Sequence, residues 1–162
     1  MPSNWFNENE VSSKLGGMLA GANNEGPGDA FRHALASALY TQKYGPFVAA
    51  ILGNLNEAFA FNDSKYATEA DLYNNELGRE IGQAATTPEE ATMMLLDMMN
   101  KSIDQESYWG GASEEPRLDP DALVKWNRQR YKENSSQVRR QLGAMQELLD
   151  QGMFRQQFDY FR

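Results

Sequence analysis

The residues best able to do chemistry lie on three successive stretches: Asp29, Arg32 and His33; then Glu57; then Asp71, Asn74, Asn75 and Arg79. His33 is the single histidine of the 162-residue chain. A histidine or glutamate tuned towards neutrality moves protons, and a second carboxylate such as Asp71 orients the histidine or stabilises positive charge. Arg32 and Arg79 suit an anionic group or a developing oxyanion, and paired amides fix a polar substrate. This is a hydrolase-like inventory, with His33, Glu57 and Asp71 as catalytic candidates and Asp29, Arg32, Asn74, Asn75 and Arg79 as binding candidates. The same residue types also build purely structural networks. One histidine with two carboxylates is a thin basis for a metal site, so no metal is assigned and the cofactor stays unknown.

Helical spacing must bring these groups together. Over residues 71–82, DLYNNELGREIG, a helix aligns Asp71, Asn74, Asn75, Gly78, Arg79 and Gly82 on one polar face. Glu69, Glu76, Glu80 and Gln83 cluster on a second side suited to water. Tyr73, Leu77, Ile81 and Ala84 form a third, apolar side suited to a core. Asn competes for backbone bonds, and each Gly costs about 1 kcal/mol against Ala in a helix interior. The polar face therefore needs a reason of its own, either close helix–helix packing or a buried polar site.

The preceding helix is expected from residue 28 or 29 to 44, stopped by Gly45-Pro46, with Phe31, Ala34, Leu35, Ala38 and Leu39 as its stripe. Asp29, Arg32, His33, Ser37 and Tyr40 share the adjoining side. Between the two, residues 47–61 read as a helix with Val48, Ile51, Leu52, Leu55 and Phe59 facing the core. Its one carboxylate, Glu57, requires a partner or water. A short helix over 11–20 comes first. After the polar helix, Thr87 as N-cap, Pro88 at the first helical position and two glutamates open a methionine-rich helix to about residue 105. Those methionines read as core filler.

No stretch alternates with period two. The chain is expected to be all-α, a single compact bundle of about six or seven helices with an extended helical C-terminal region. Its parts are an N-terminal arm and short helix (1–27), a helical core carrying the polar site (28–106), a loop (107–119) and C-terminal helices (120–162). The last part ends in Phe154, Phe158 and Phe161 and suits docking on the body or a partner.

Composition is globular, 41% hydrophobic and 23% charged, and cysteine is absent, which excludes disulfides and thiolate metal sites. A net charge of -8 argues against nucleic acid as the main partner. The charge is uneven: residues 1–119 carry 7 basic and 18 acidic side chains, residues 120–162 carry 8 and 5. No run approaches the roughly 18–20 apolar residues of a membrane span, and the start lacks the pattern of a classical signal peptide.

GPGDAFRHALASAL, NLNEAF and DLYNNELGREIG together resemble a helical domain of unassigned function marked by D-A-F-R-H-A, a His-Glu pair and D-x-x-N-N-x-x-G, over about residues 26–85. Asp29, Arg32, His33, Glu57, Asp71, Asn74, Asn75 and Gly78 match it. Ala36 stands where tryptophan is common, and Asn56 and Tyr73 stand where histidines are common. The two missing histidines count against a metal-dependent mechanism. The resemblance implies bacterial secreted or toxin-like proteins and phage-encoded proteins. The resulting expectation is a hydrolase of a cell-envelope component, peptidoglycan or phospholipid, virion-associated or exported rather than purely cytoplasmic. The alternatives are a virion component in which the network only pins helices, its C-terminal helices meeting other proteins of an assembly, and an effector held by a partner protein.

Overall fold

The computed structural model describes residues 5–22, 26–58, 65–104 and 135–162; the side chains of 5–9, 54–58, 65–67 and 104 lie outside that set. Among the described residues are seven helices and no strand. They are α1 (Trp5–Gly17), α2 (Pro27–Tyr44), α3 (Pro46–Ala58), α4 (Lys65–Ala84), α5 (Pro88–Asp104), α6 (Ser135–Asp150) and α7 (Arg155–Asp159). The all-α expectation holds.

α2 is the central element. Pro27 opens it behind an extended Gly26, and Asp29 sits in the first turn, where the positive end of the helix dipole favours a carboxylate. Gly45 ends it at φ 87°, in a region a side chain would strain, and its N–H donates to the Thr41 carbonyl at 2.9 Å. Phe31, Ala34, Leu35, Ala38 and Leu39 are all buried, as their spacing predicts.

Two neighbours approach α2 more closely than side chains would allow. A Cβ at Gly78 of α4 would lie 2.2 Å from the Ala34 carbonyl oxygen, and one at Gly82 would lie 2.5 Å from that of Ala38. Gly78 and Gly82 thus lie over Ala34 and Ala38, so small residues spaced one turn apart on each helix let the two backbones nearly touch. On the other side, a Cβ at Gly28 would lie 2.5 Å from the Gly16 carbonyl oxygen of α1. The Gly28 N–H also donates to the Ala20 carbonyl at 2.9 Å, which anchors the first turn of α2 to the end of α1.

The start of α5 follows the sequence. The Thr87 hydroxyl accepts the Glu90 N–H at 3.1 Å. The Glu90 carboxylate accepts the Thr86 hydroxyl at 2.5 Å and the Thr86 N–H at 2.6 Å, bonds that hold it below the ordinary carboxylate range. Met99 is fully buried and Met93, Met94 and Met98 pack against the core, so the methionines act as filler. Val138, Leu142 and Met145 of α6, with Phe158 and Phe161, are buried in the same core. Lys43 donates to the Tyr160 carbonyl at 2.7 Å, and Arg162 pairs with Glu89 and Asp159, which raises its pKa.

Three expectations are corrected. Val48 and Ile51 of α3 are exposed, whereas Ala49 is buried and Leu52 and Gly53 are half-buried. α3 turns its small residues inward because Gly53 lies against Asn75, where a Cβ would sit 3.2 Å from the amide nitrogen. The larger apolar residues are thereby rotated outward. On α4, Leu77 and Ile81 are buried as expected but Ala84 is exposed and Ala85 is buried instead. α1 begins earlier and ends earlier than residues 11–20. The expectations for Leu55, Phe59, the loop at 107–119 and residues 120–134 fall outside the described residues or side chains.

Gly78→Ala is expected to lower stability by about 1–3 kcal/mol, because the added methyl meets helix backbone that cannot yield. Gly143→Ala, in a helical position with no atom within 4 Å of the new methyl, should raise it by about 0.5–1 kcal/mol. Urea-unfolding midpoints of the two variants, read against wild type, should move in opposite directions.

Candidate functional site

The α2–α4 contact places Asp71 beside the first two turns of α2. Asp29 and His33, one turn apart on α2, face it. His33 Nε2 lies 3.3 Å from Asp71 Oδ1 and 3.6 Å from Asp29 Oδ1. The side chains of Asp29, His33 and Asp71 are 14%, 12% and 10% exposed, so the cluster is shielded without being sealed. Arg32 closes it on one side: its Nη2 donates to Asp29 Oδ1 at 2.6 Å and stands 3.4 Å from His33 Nε2. At 39% exposure this guanidinium reaches solvent.

A cavity of about 40 Å³ adjoins the cluster, lined by Ser12 of α1, Arg32, His33, Ser37 and Tyr40 of α2, Ala49 and Gly53 of α3, and Asn75 of α4. That volume is room for about one water. A larger substrate therefore meets His33 and Arg32 at the rim. A second hollow of about 480 Å³ opens beside Gln42, Pro46, Gly82, Thr87 and Arg162, and among the described residues no acidic or imidazole side chain lines it.

Of the eight site residues expected from the sequence, the structure brings together Asp29, Arg32, His33 and Asp71 directly, and Asn75 through the cavity wall. Asn75 also anchors the helix pair, its backbone carbonyl accepting the Ser37 hydroxyl at 2.6 Å. Asn74 is buried on the same helix but is not part of the cavity wall. Arg79 lies two turns beyond Asp71, about 12 Å along the axis, and does not line the cavity. Glu57 follows Gly53 by one turn of α3, but its side chain lies outside the described residues.

The polar face of α4 therefore divides. Its N-terminal part, Asp71 to Asn75, carries the cluster and the cavity wall. Its C-terminal part, Gly78 and Gly82, is a packing surface. Ser12 is the functional neighbour that sequence reasoning missed. It is buried against the cavity, and its signal is its position one turn before Gly16, on the small-residue side of α1 that meets α2.

Ser37→Ala removes the bond to the Asn75 carbonyl and is expected to cost about 0.5–1.5 kcal/mol, measured by thermal or urea unfolding. A larger loss would make this bond part of a wider network than the pair itself.

A family described as a domain of unknown function, DUF6973, matches residues 9–106. No curated protein and no solved structure matches the chain. The matched region takes in α1 from residue 9 and all of α5 as well as α2 to α4, so it contains every described residue that lines the cluster and its cavity. The chain belongs to this family.

Proposed function

We propose that this DUF6973 protein is a hydrolase of a cell-envelope component and that Asp29, His33 and Asp71 form its reacting centre. The observation that carries the proposal is the placement of the single imidazole between two shielded carboxylates, at the rim of a polar cavity. In this reading His33 takes a proton from water as the water oxygen attacks an acyl or phosphoryl centre, then returns it to the leaving group. Asp71 and Asp29 orient the ring and stabilise its charged form. Arg32, half in solvent and at the rim, binds the anionic part of the substrate. Asn75 offers its amide to the cavity, whereas Arg79 is too far along α4 to share this task.

Between the two envelope substrates, the outer face of α3 supports phospholipid. Ala49 and Leu52 line the cavity, while Phe47 is 77% exposed and Val48 and Ile51 are also exposed. No residue of 46–56 is charged. An uncharged apolar helix beside a polar cavity suits the interface of a bilayer, where acyl chains and headgroup lie at adjoining depths.

A second reading, a non-catalytic component in which the network pins helices, is favoured by the packing role of Gly78 and Gly82 on the same α4 face. Activity separates the two. Wild type is expected to hydrolyse phospholipid vesicles or purified peptidoglycan, and His33→Ala, with its fold checked by circular dichroism, should lose about 100-fold or more. Equal turnover by both proteins would remove His33 from the mechanism, and no turnover by wild type on either material would favour the structural reading. On vesicles, Phe47→Ser should reduce turnover while leaving hydrolysis of a dispersed short-chain lipid unchanged.

A further inference from the structure

Two of the three separations within the cluster suit atoms arranged around a common centre. His33 Nε2 faces a carboxylate oxygen of Asp71 at 3.3 Å and one of Asp29 at 3.6 Å. One ligand-type atom from each of the three side chains lies within 4.8 Å of the other two. A tetrahedral cation held at about 2.0–2.2 Å by nitrogen and oxygen spaces its ligand atoms about 3.3–3.6 Å apart. Arg32 Nη2, at 2.6 Å from Asp29 Oδ1 and 3.4 Å from His33 Nε2, occupies the place such a cation would take.

We infer that Asp29, His33 and Asp71 form a binding site for one divalent cation of the zinc type, and that Arg32 competes with that cation for the same oxygen and nitrogen. The inference rests on the cluster of the hydrolase reading and alters its chemistry: with Nε2 bound to the cation, His33 acts as a ligand rather than as the base. One imidazole and two carboxylates with space beside them supply the three protein ligands and open position that catalytic zinc sites have, with a carboxylate in place of a second nitrogen or sulfur, and the neutral nitrogen selects against magnesium and calcium. The half-exposed Arg32 has solvent into which to swing when the cation enters. Asp29 supplies the third ligand from the turn of α2 that precedes His33.

The test is calorimetric titration of chelator-stripped full-length protein with Zn²⁺ alone and, separately, with Mg²⁺, alongside thermal unfolding with and without Zn²⁺. Wild type is expected to take up one Zn²⁺ per chain and to unfold at a higher temperature with it, and Mg²⁺ should bind more weakly. Asp29→Asn and Asp71→Asn keep the side-chain shape and should each weaken Zn²⁺ uptake by more than tenfold. Arg32→Gln should strengthen it, a result that a merely structural cluster does not produce. Stoichiometric uptake that survives unchanged in both Asp→Asn variants would overturn the assignment, as would no uptake by wild type; weakened uptake in Arg32→Gln would overturn the competition. Because binding is read without substrate, a failure here leaves the hydrolase reading standing, and an inactive protein that binds Zn²⁺ leaves this inference standing.

Discussion

The near-contact of two helix backbones at Gly78 and Gly82 is the constraint on which the rest depends. At those positions α4 lies so close to Ala34 and Ala38 that not even a methyl group fits. Such an approach fixes the axial register of the pair as well as its separation, because only the glycines can lie over the alanines. Register in turn sets which polar residues meet. With Gly78 over Ala34, Asp71 falls beside His33, and the Asn75 carbonyl falls within 2.6 Å of the Ser37 hydroxyl. The glycine contact between α1 and α2 does the same on the opposite side, setting Ser12 at the cavity and Asp29 at the start of α2.

Packing and chemistry are thus successive parts of one helix face rather than competing descriptions of it. The helix tolerates two asparagines and two glycines because each has a task that a good helix former cannot perform. Glycine brings the backbones together, and the resulting tightness shields the carboxylates and imidazole from bulk water, which strengthens their mutual interaction. α3 completes the wall by turning Ala49 and Gly53 inward, and its bulky apolar residues are left facing out. The C-terminal helices bury Val138, Leu142, Met145 and Phe158 in the body.

Much of this was legible in the sequence. The C-terminal end of α2 and the start of α5 were clear because Gly45, Thr87 and Pro88 carry local backbone chemistry that tertiary context did not override. The polar face of α4 was clear because its residue types conflict with helix propensity. The orientation of α3 was not, since periodicity marks large apolar residues as core and cannot register that small residues permit a closer approach. Ser12 was hidden for the same reason, being recognisable only once Gly16 is known to touch Gly28. Arg79 lies on the same broad face as Asp71, about 80° around it and two turns along, and a face projection erases that difference in height. The family match covers residues 9–106, a wider span than the resemblance over residues 26–85, and takes in the part of α1 that lines the cavity.

Because His33 is the only histidine, its imidazole nitrogens give a pair of NMR signals that report directly on the central claim, that helix packing builds the cluster. The measurement is the ¹⁵N chemical shifts of this ring in wild type, in Asp71→Asn and in Gly82→Ala, the last placing a methyl 2.5 Å from the Ala38 carbonyl oxygen, well away from the ring. Both substitutions are expected to move the shifts in the same direction, towards those of a freely solvated imidazole, in protein that remains folded. A ring that responds to Asp71→Asn and is indifferent to Gly82→Ala would contradict the dependence of the site on the α2–α4 contact.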